Sequence, residues 1–181
     1  MSDPWDALDT LLDHLWARLA RGAADASDPF RFVALATAGA EGPEARMVGN
    51  RAADRAARRL EVHSDLRTAK VAALRRDPRA TLLFWDAAAQ LQLRVQLEMD
   101  LIPADPARWD RIPETPRLNY GTDPAPGTPV AAPETVTRTP DRARFVALSG
   151  RVRGMDAVSL AHDPHRRAHF AADGTGQWVA P

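Results

Sequence analysis

The chain has 181 residues with 24 basic and 24 acidic side chains, so its formal net charge is zero. That balance argues against sequence-independent binding of nucleic acid, and the length suits one domain, 1–181, whose core needs neither disulfide nor metal. The absence of cysteine removes disulfides, thiolate metal sites and cysteine nucleophiles. No apolar run approaches the roughly 18 residues of a membrane span. Met1-Ser2-Asp3-Pro4 also lacks the basic-then-apolar layout of a signal peptide, so a cytoplasmic protein with no membrane partner is expected.

From Asp3 to Gly22 the residues Trp5, Leu8, Leu11, Leu12, Leu15, Trp16 and Leu19 recur at three- and four-residue spacing, which predicts an amphipathic helix within 1–22. Asp3 is placed to cap it, Pro4 to open it, and Arg18, Arg21 and Gly22 to close it. Its tryptophans read as packing groups. Short extended runs follow, predicting strands at 30–37, 45–51, 59–64, 80–85, 91–101 and 145–152. The strict alternation of Leu91 to Leu97 marks a half-buried strand. Between the third and fourth strands, 68–76 reads as a short helix with Val71, Ala72 and Leu74 inward and Asp77-Pro78 ending it. One helix followed by antiparallel strands with an inserted helix predicts an α+β or barrel domain, with its barrel core in 30–101.

The segment 103–140 holds nine of the fifteen prolines and little periodicity beyond a turn of helix at 106–112. A loop this long is disordered or functional. Its Trp109, Arg111, Arg117, Asn119 and Tyr120 favour an ordered rim over a ligand site. The C-terminal strands are expected in 143–181, with one more strand in the tail from Arg166.

Neither a dinucleotide fingerprint nor a P-loop occurs. His162, His165 and His169 are spaced like metal ligands, but Pro164 interrupts them and no acidic or thiol partner stands close in sequence, so no metal is expected. His63 and Ser64, adjacent on a strand, face opposite ways and form no relay. Charge is unevenly spread: residues 46 to 79 carry ten bases against four acids, and Lys70 is the one lysine of the chain. Arg46 opens one strand, Ser64 ends the next but one, and Thr68 and Lys70 stand at the start of the following helix. An arginine fork, hydroxyls, an ammonium and helix N–H groups together suit a phosphate. A solvated basic face is the plain alternative.

At these residues the sequence resembles the pyridoxamine 5'-phosphate oxidase family. The family's flavin strand, arginine first and lysine last, is similar to Arg46-Met47-Val48-Gly49-Asn50-Arg51, with Arg51 in place of lysine. Its aromatic-Thr-Asn turn and Ser-Arg-Lys resemble His63-Ser64-Asp65-Leu66-Arg67-Thr68-Ala69-Lys70. Asp77-Pro78 with the apolar strand after it, Gln92-Leu93-Arg94-Val95 and His165-Arg166-Arg167 resemble three further motifs in the same order.

The resemblance implies an FMN-binding split β-barrel, mainly β, with an N-terminal helix and short inserted helices. It implies FMN as cofactor, with Arg46, Ser64 and Lys70 on its phosphate, Thr68 in support, and Met47, Val48, Arg51 and His63 along the rest. Gln92 and Arg167 would reach the flavin edge across the interface of a homodimer. A small organic molecule is the expected substrate of a flavin-dependent oxidoreductase, with Arg51, Arg111, Arg117 and His165 as substrate residues. A flavin, haem or deazaflavin carrier without catalysis is the alternative, and true pyridoxamine 5'-phosphate oxidation a narrower one. The chain departs from the family at Ala69 and Asp163, each in place of an arginine. It also lacks a tryptophan in 156–160 and carries the proline-rich stretch where the family binds substrate phosphate.

Overall fold

The computed structural model describes residues 3–181; Met1 and Ser2, part of the expected first helix and of the leader reading, lie outside the described residues. The expected helix begins later than its periodicity suggests. Asp3 caps a separate 3-10 turn, Pro4–Asp6, accepting from the Trp5 amide at 2.9 Å. Ala7 is extended, and α1 runs from Leu8–Ala24. Its Leu11, Leu15, Trp16 and Leu19 are buried, as is Trp5, which fits their reading as packing groups.

The strands are β1 (Phe32–Ala38), β2 (Pro43–Asp54), β3 (Arg59–Asp65), β4 (Arg79–Asp86), β5 (Leu91–Pro103) and, beyond the proline-rich segment, β8 (Phe145–Ser159), β9 (Arg166–Ala171) and β10 (Gly176–Val179). The helix α2 spans Ala69–Arg76 and buries Val71, Ala73 and Leu74, so Ala73 rather than Ala72 faces inward. The tail holds two strands where one is expected, and β8 continues seven residues past the expected end at 152.

The sheet order is β10-β9-β8-β3-β2-β1-β4-β5, with β5 also pairing β8. That second pairing closes an antiparallel barrel of β1 to β5 and β8, mainly β in content, with β9 and β10 as extra strands. Along one edge β8 pairs β3 as far as Arg151 and then, from Gly154, pairs β9. The wall of the barrel therefore splits at residues 152–153, on the side where α1 packs against β2 and β10. Leu35, Leu60, Leu82, Phe84, Leu93 and Val95 fill the interior together with the apolar face of α1. Two polar ties fix that helix: Arg18 donates to Asp86 at 2.7 Å, and Asn50 Nδ2 donates to the Leu19 carbonyl at 3.0 Å.

The proline-rich segment is ordered by α3 (Pro106–Asp110), α4 (Glu114–Arg117) and a short ladder of β6 (Thr122–Asp123) with β7 (Thr137–Arg138). A second, smaller apolar cluster of Trp109, Ile112 and Tyr120 seats it on Phe145 and Ala147 of β8. No described helix is long and apolar enough to cross a membrane.

Candidate functional site

The proline-rich segment forms one wall of a groove of ≈ 550 Å³ whose other walls are β2, β3 and the start of α2. Seven of the ten residues expected to hold cofactor line it: Met47, Val48, Arg51, His63, Ser64, Thr68 and Lys70. Its size is that of an ordinary small-molecule site.

The turn from β3 into α2 builds the polar end. Thr68 occupies the cap position of α2, but its hydroxyl bonds the Asp65 carbonyl at 2.9 Å and lies 3.0 Å from Ser64 Oγ. Lys70 Nζ donates to Ser64 Oγ at 3.2 Å. Lys70 is half-buried and has no carboxylate within ion-pair distance among the described residues. Burial lowers its pKa and the neighbouring Arg46 charge lowers it further, against a weaker opposing pull from Asp65. A desolvated ammonium beside two hydroxyls and a second cation is a site prepared for an anion. Arg46 itself, outside the groove lining, donates to Thr37 Oγ1 at 2.7 Å and pairs with Glu44.

Arg51 stands on a β-bulge, because Asn50 pairs Val62 while Ala52 pairs Glu61. Bulges redirect side chains. The Arg51 guanidinium carbon lies 2.9 Å from where a Cβ on Gly49 would stand, which brings the charge over the groove floor. His63 is held by Glu61, Nε2 to Oε1 at 3.0 Å, and its ring meets Phe145 edge-on with centroids 4.9 Å apart. Burial pushes the Glu61 carboxyl up, but the hydrogen bonds from His63 and Arg108 outweigh it and bring it down. Ser64 bonds to Thr68 and Lys70 instead, so the adjacent pair forms no relay.

Gln92 and Arg167 do not line the groove. Gln92 pairs Val158, and Val158 pairs Arg167, on β5, β8 and β9. In the sheet order Gln92 on β5 and Arg167 on β9 each lie three strands from β2, the first by way of β1 and β4 and the second by way of β3 and β8. Arg167 is engaged within its own chain: Nε and a terminal nitrogen bond the two oxygens of Asp156 at 3.0 and 2.8 Å. Burial raises the Asp156 carboxyl, and the bonds from Arg167 and Arg94 overcome it, leaving a pKa of about 2.

Of the substrate residues expected, only Arg51 lines the groove. Arg111 Nε donates to the Ala107 carbonyl at 3.1 Å. Arg117 donates to the Ile112 and Asp110 carbonyls and stacks on Trp109, so it holds the rim together. His165 lies in a separate hollow with Trp5 and Trp178. The groove also takes in Asn119, Tyr120, Thr122, Val136 and Arg138. Asn119 and Tyr120 stand out in the sequence as recognition residues within the segment, and the other three carry no such mark. Arg67, also unmarked, ties the site to its rim: it bonds Asp65 through three nitrogens and the Thr122 carbonyl at 2.8 Å.

The fold and the groove define a closed antiparallel barrel with an anion-receptive cleft at the β3–α2 turn. A family model described as pyridoxamine 5'-phosphate oxidase, FMN-binding domain, matches residues 12–103, just over half of the chain, and the chain belongs to that family. No curated protein sequence matches it. Among solved structures it is similar to a pyridoxamine 5'-phosphate oxidase-related, FMN binding protein from Nostoc punctiforme PCC 73102, with 20% identity, TM-score 0.70 and all of both chains covered. PhzG from Burkholderia lata 383, in complex with tetrahydrophenazine-1-carboxylic acid, is 18% identical with TM-score 0.75, covering 100% of this chain and 98% of that one. The General Stress Protein 26 from Bacillus anthracis str. Sterne is 11% identical with TM-score 0.57, covering 92% and 99%. At these identities the likeness is one of fold.

Proposed function

We propose that the groove holds FMN, that two copies of the chain share each cofactor, and that the protein is a flavin-dependent oxidoreductase acting on a small organic molecule. The observation that carries this reading is Lys70: a half-buried ammonium, donating to Ser64 Oγ and beside Arg46, with no carboxylate at ion-pair distance among the described residues. The donor set fits a phosphate monoester, since an ammonium, two hydroxyls and a guanidinium offer charge-assisted bonds to several of its oxygens. Arg46 would exchange Glu44, a partly exposed partner, for that anion. Arg51, re-aimed by its bulge, supplies positive charge further along the groove, and His63 and Tyr120 supply ring surface against a planar group. FMN when bound supplies two-electron redox chemistry, and a fixed cation near its ring favours the reduced, anionic form.

Gln92 and Arg167 lie outside the lining of the groove. A partner subunit would bring them. The outer face of β1, β2 and β4 supports such pairing, because Phe32, Met47, Leu83 and Trp85 are 62, 64, 37 and 45% exposed and lie side by side on it. An apolar patch of that kind marks an interaction surface.

A carrier role without turnover is the second reading, favoured by Arg117 being spent on backbone carbonyls rather than free for a substrate. Titration of the protein with FMN, followed by quenching of flavin fluorescence, tests cofactor binding. Lys70→Ala is expected to weaken it by about 1.5–3 kcal/mol, the range of a charge-assisted hydrogen bond. Unchanged affinity would remove Lys70 from the site. Reduction of the bound flavin by NADPH and its reoxidation by a small-molecule acceptor separate an enzyme from a carrier.

A further inference from the structure

Glu61 and His63 stand two residues apart on β3 and therefore on one face of it, opposite the buried Leu60 and Val62. Their side chains are only 12 and 10% exposed. Glu61 Oε1 lies 3.0 Å from His63 Nε2, and Oε2 accepts from Arg108 Nε at 2.8 Å. Burial works against the charge on Glu61 and these hydrogen bonds outweigh it, so Glu61 is a carboxylate at neutral pH. A carboxylate only accepts, which places a hydrogen on Nε2 of His63 whatever the charge of the ring.

The other ring nitrogen is open. Among the described residues Nδ1 has no hydrogen-bond partner, and the buried side-chain atoms left without one are Arg18 Nε, Asn50 Oδ1, Thr122 Oγ1 and His169 Nε2. His63 Nδ1 is thus neither paired nor sealed, and the ring it belongs to lines the groove. It is the position on this ring that can gain or lose a proton.

Charged groups face the ring from several elements. On β3 itself stand Glu61 and Asp65, the latter committed to Arg67. Arg108 of α3 is shared between Glu61 and Asp105 at 3.3 Å. Arg51 of β2, Lys70 of α2 and Arg138 of β7 line the groove without a carboxylate at ion-pair distance among the described residues, and Tyr120 adds a phenol. The β8 residues packed on the ring side, Phe145 and Ala147, are apolar.

We propose that His63 takes up a proton when a flavin in this groove is reduced, so that the Glu61–His63 pair holds the charge that balances the reduced cofactor. This deepens the flavin reading given above and rests on it. Two electrons from an external donor and one proton reduce the flavin to its anion, and a second proton passes from solvent to His63 Nδ1. Two electrons then enter with two protons and no change in net charge. The physical cause is the new negative charge beside the ring, which favours the imidazolium that Glu61 already supports through Nε2. His63 gives the groove a proton site, and Glu61 is its positioning residue.

The test is the midpoint potential of the FMN-loaded chain as a function of pH, between about pH 5 and about pH 8 where an imidazole titrates, with dithionite as the reductant. Wild type is expected to take up about two protons per two electrons over part of that range. His63→Phe keeps an aromatic ring but no proton site and should take up about one, a twofold fall in slope. Glu61→Gln keeps a hydrogen-bonding partner without the charge and should move the two-proton region to lower pH. The nitrogen chemical shift of His63 Nδ1 in the wild-type protein, oxidised and then reduced, reads the same proton without any substitution. One proton per two electrons in FMN-loaded wild type would overturn the inference and leave the flavin reading standing. So would a two-proton slope that persists in His63→Phe, or an Nδ1 shift that reduction leaves unchanged. A chain that retains no FMN would overturn the flavin reading and this inference with it.

Discussion

Lys70 carries its charge in surroundings that oppose it. Burial and the Arg46 guanidinium both act against the ammonium form, so its pKa lies below the ordinary lysine value of 10.5 when no ligand is present. A phosphate dianion reverses both effects, because it replaces lost solvation and neutralises the local positive field. The sign of the pH dependence follows. The ammonium that binds phosphate is present below the lowered pKa and is lost as pH rises through it. FMN affinity is therefore expected to decline on the alkaline side before an ordinary lysine would titrate, and this decline should vanish in Lys70→Arg, whose guanidinium does not titrate there. The dissociation constant as a function of pH, from flavin fluorescence, measures it; a flat profile for wild type would place Lys70 away from the phosphate.

At the scale of elements, the rim of the groove depends on close backbone approach rather than on a large core. A Cβ on Gly121 would lie 1.5 Å from the Thr139 carbonyl oxygen, and the Thr139 amide donates to the Gly121 carbonyl at 3.0 Å. Gly121→Ala is expected to push β6 and β7 apart, expose the segment 121–139 to protease and reduce FMN affinity, while urea unfolding of the barrel stays within about 1 kcal/mol of wild type. Limited proteolysis followed by mass spectrometry would show it. A segment that stays resistant would mean that the rim is held elsewhere.

The same dependence on distant contacts explains what could be read in advance. The face of α1 and the alternation of Leu91 to Leu97 are legible because each element buries one side only. The second half of β8 is not. Residues 154–157 are buried without interruption, because Met155 and Ala157 join the core while Asp156 on the opposite face is covered by Arg94 and Arg167, and no period of two survives. The anion groups are legible as chemistry at Arg46, Ser64 and Lys70. By contrast, Arg67 and Thr122 become neighbours only through a fold-level contact 55 residues apart in sequence. Asp156, which falls beyond the strand expected at 145–152, turns out to hold the side chain of Arg167.

For the molecule as a whole, the closed barrel leaves one broad apolar surface uncovered and the two sets of groups proposed for the cofactor on different strands. The proposed pairing of two copies through the first would bring the second together. Leu83→Arg adds a charge on that outer face, where the isolated chain tolerates it within about 0.5 kcal/mol, so it is expected to separate the subunits and release flavin together. A variant that stayed paired, or that kept full FMN affinity as a single chain, would show that the cofactor is not shared. The most direct measurement is gel filtration of the FMN-saturated protein with absorbance recorded for both protein and flavin. The account predicts one flavin per chain, co-eluting with a species of twice the chain's mass. Flavin eluting with a single-chain species, or protein emerging free of flavin, would contradict it.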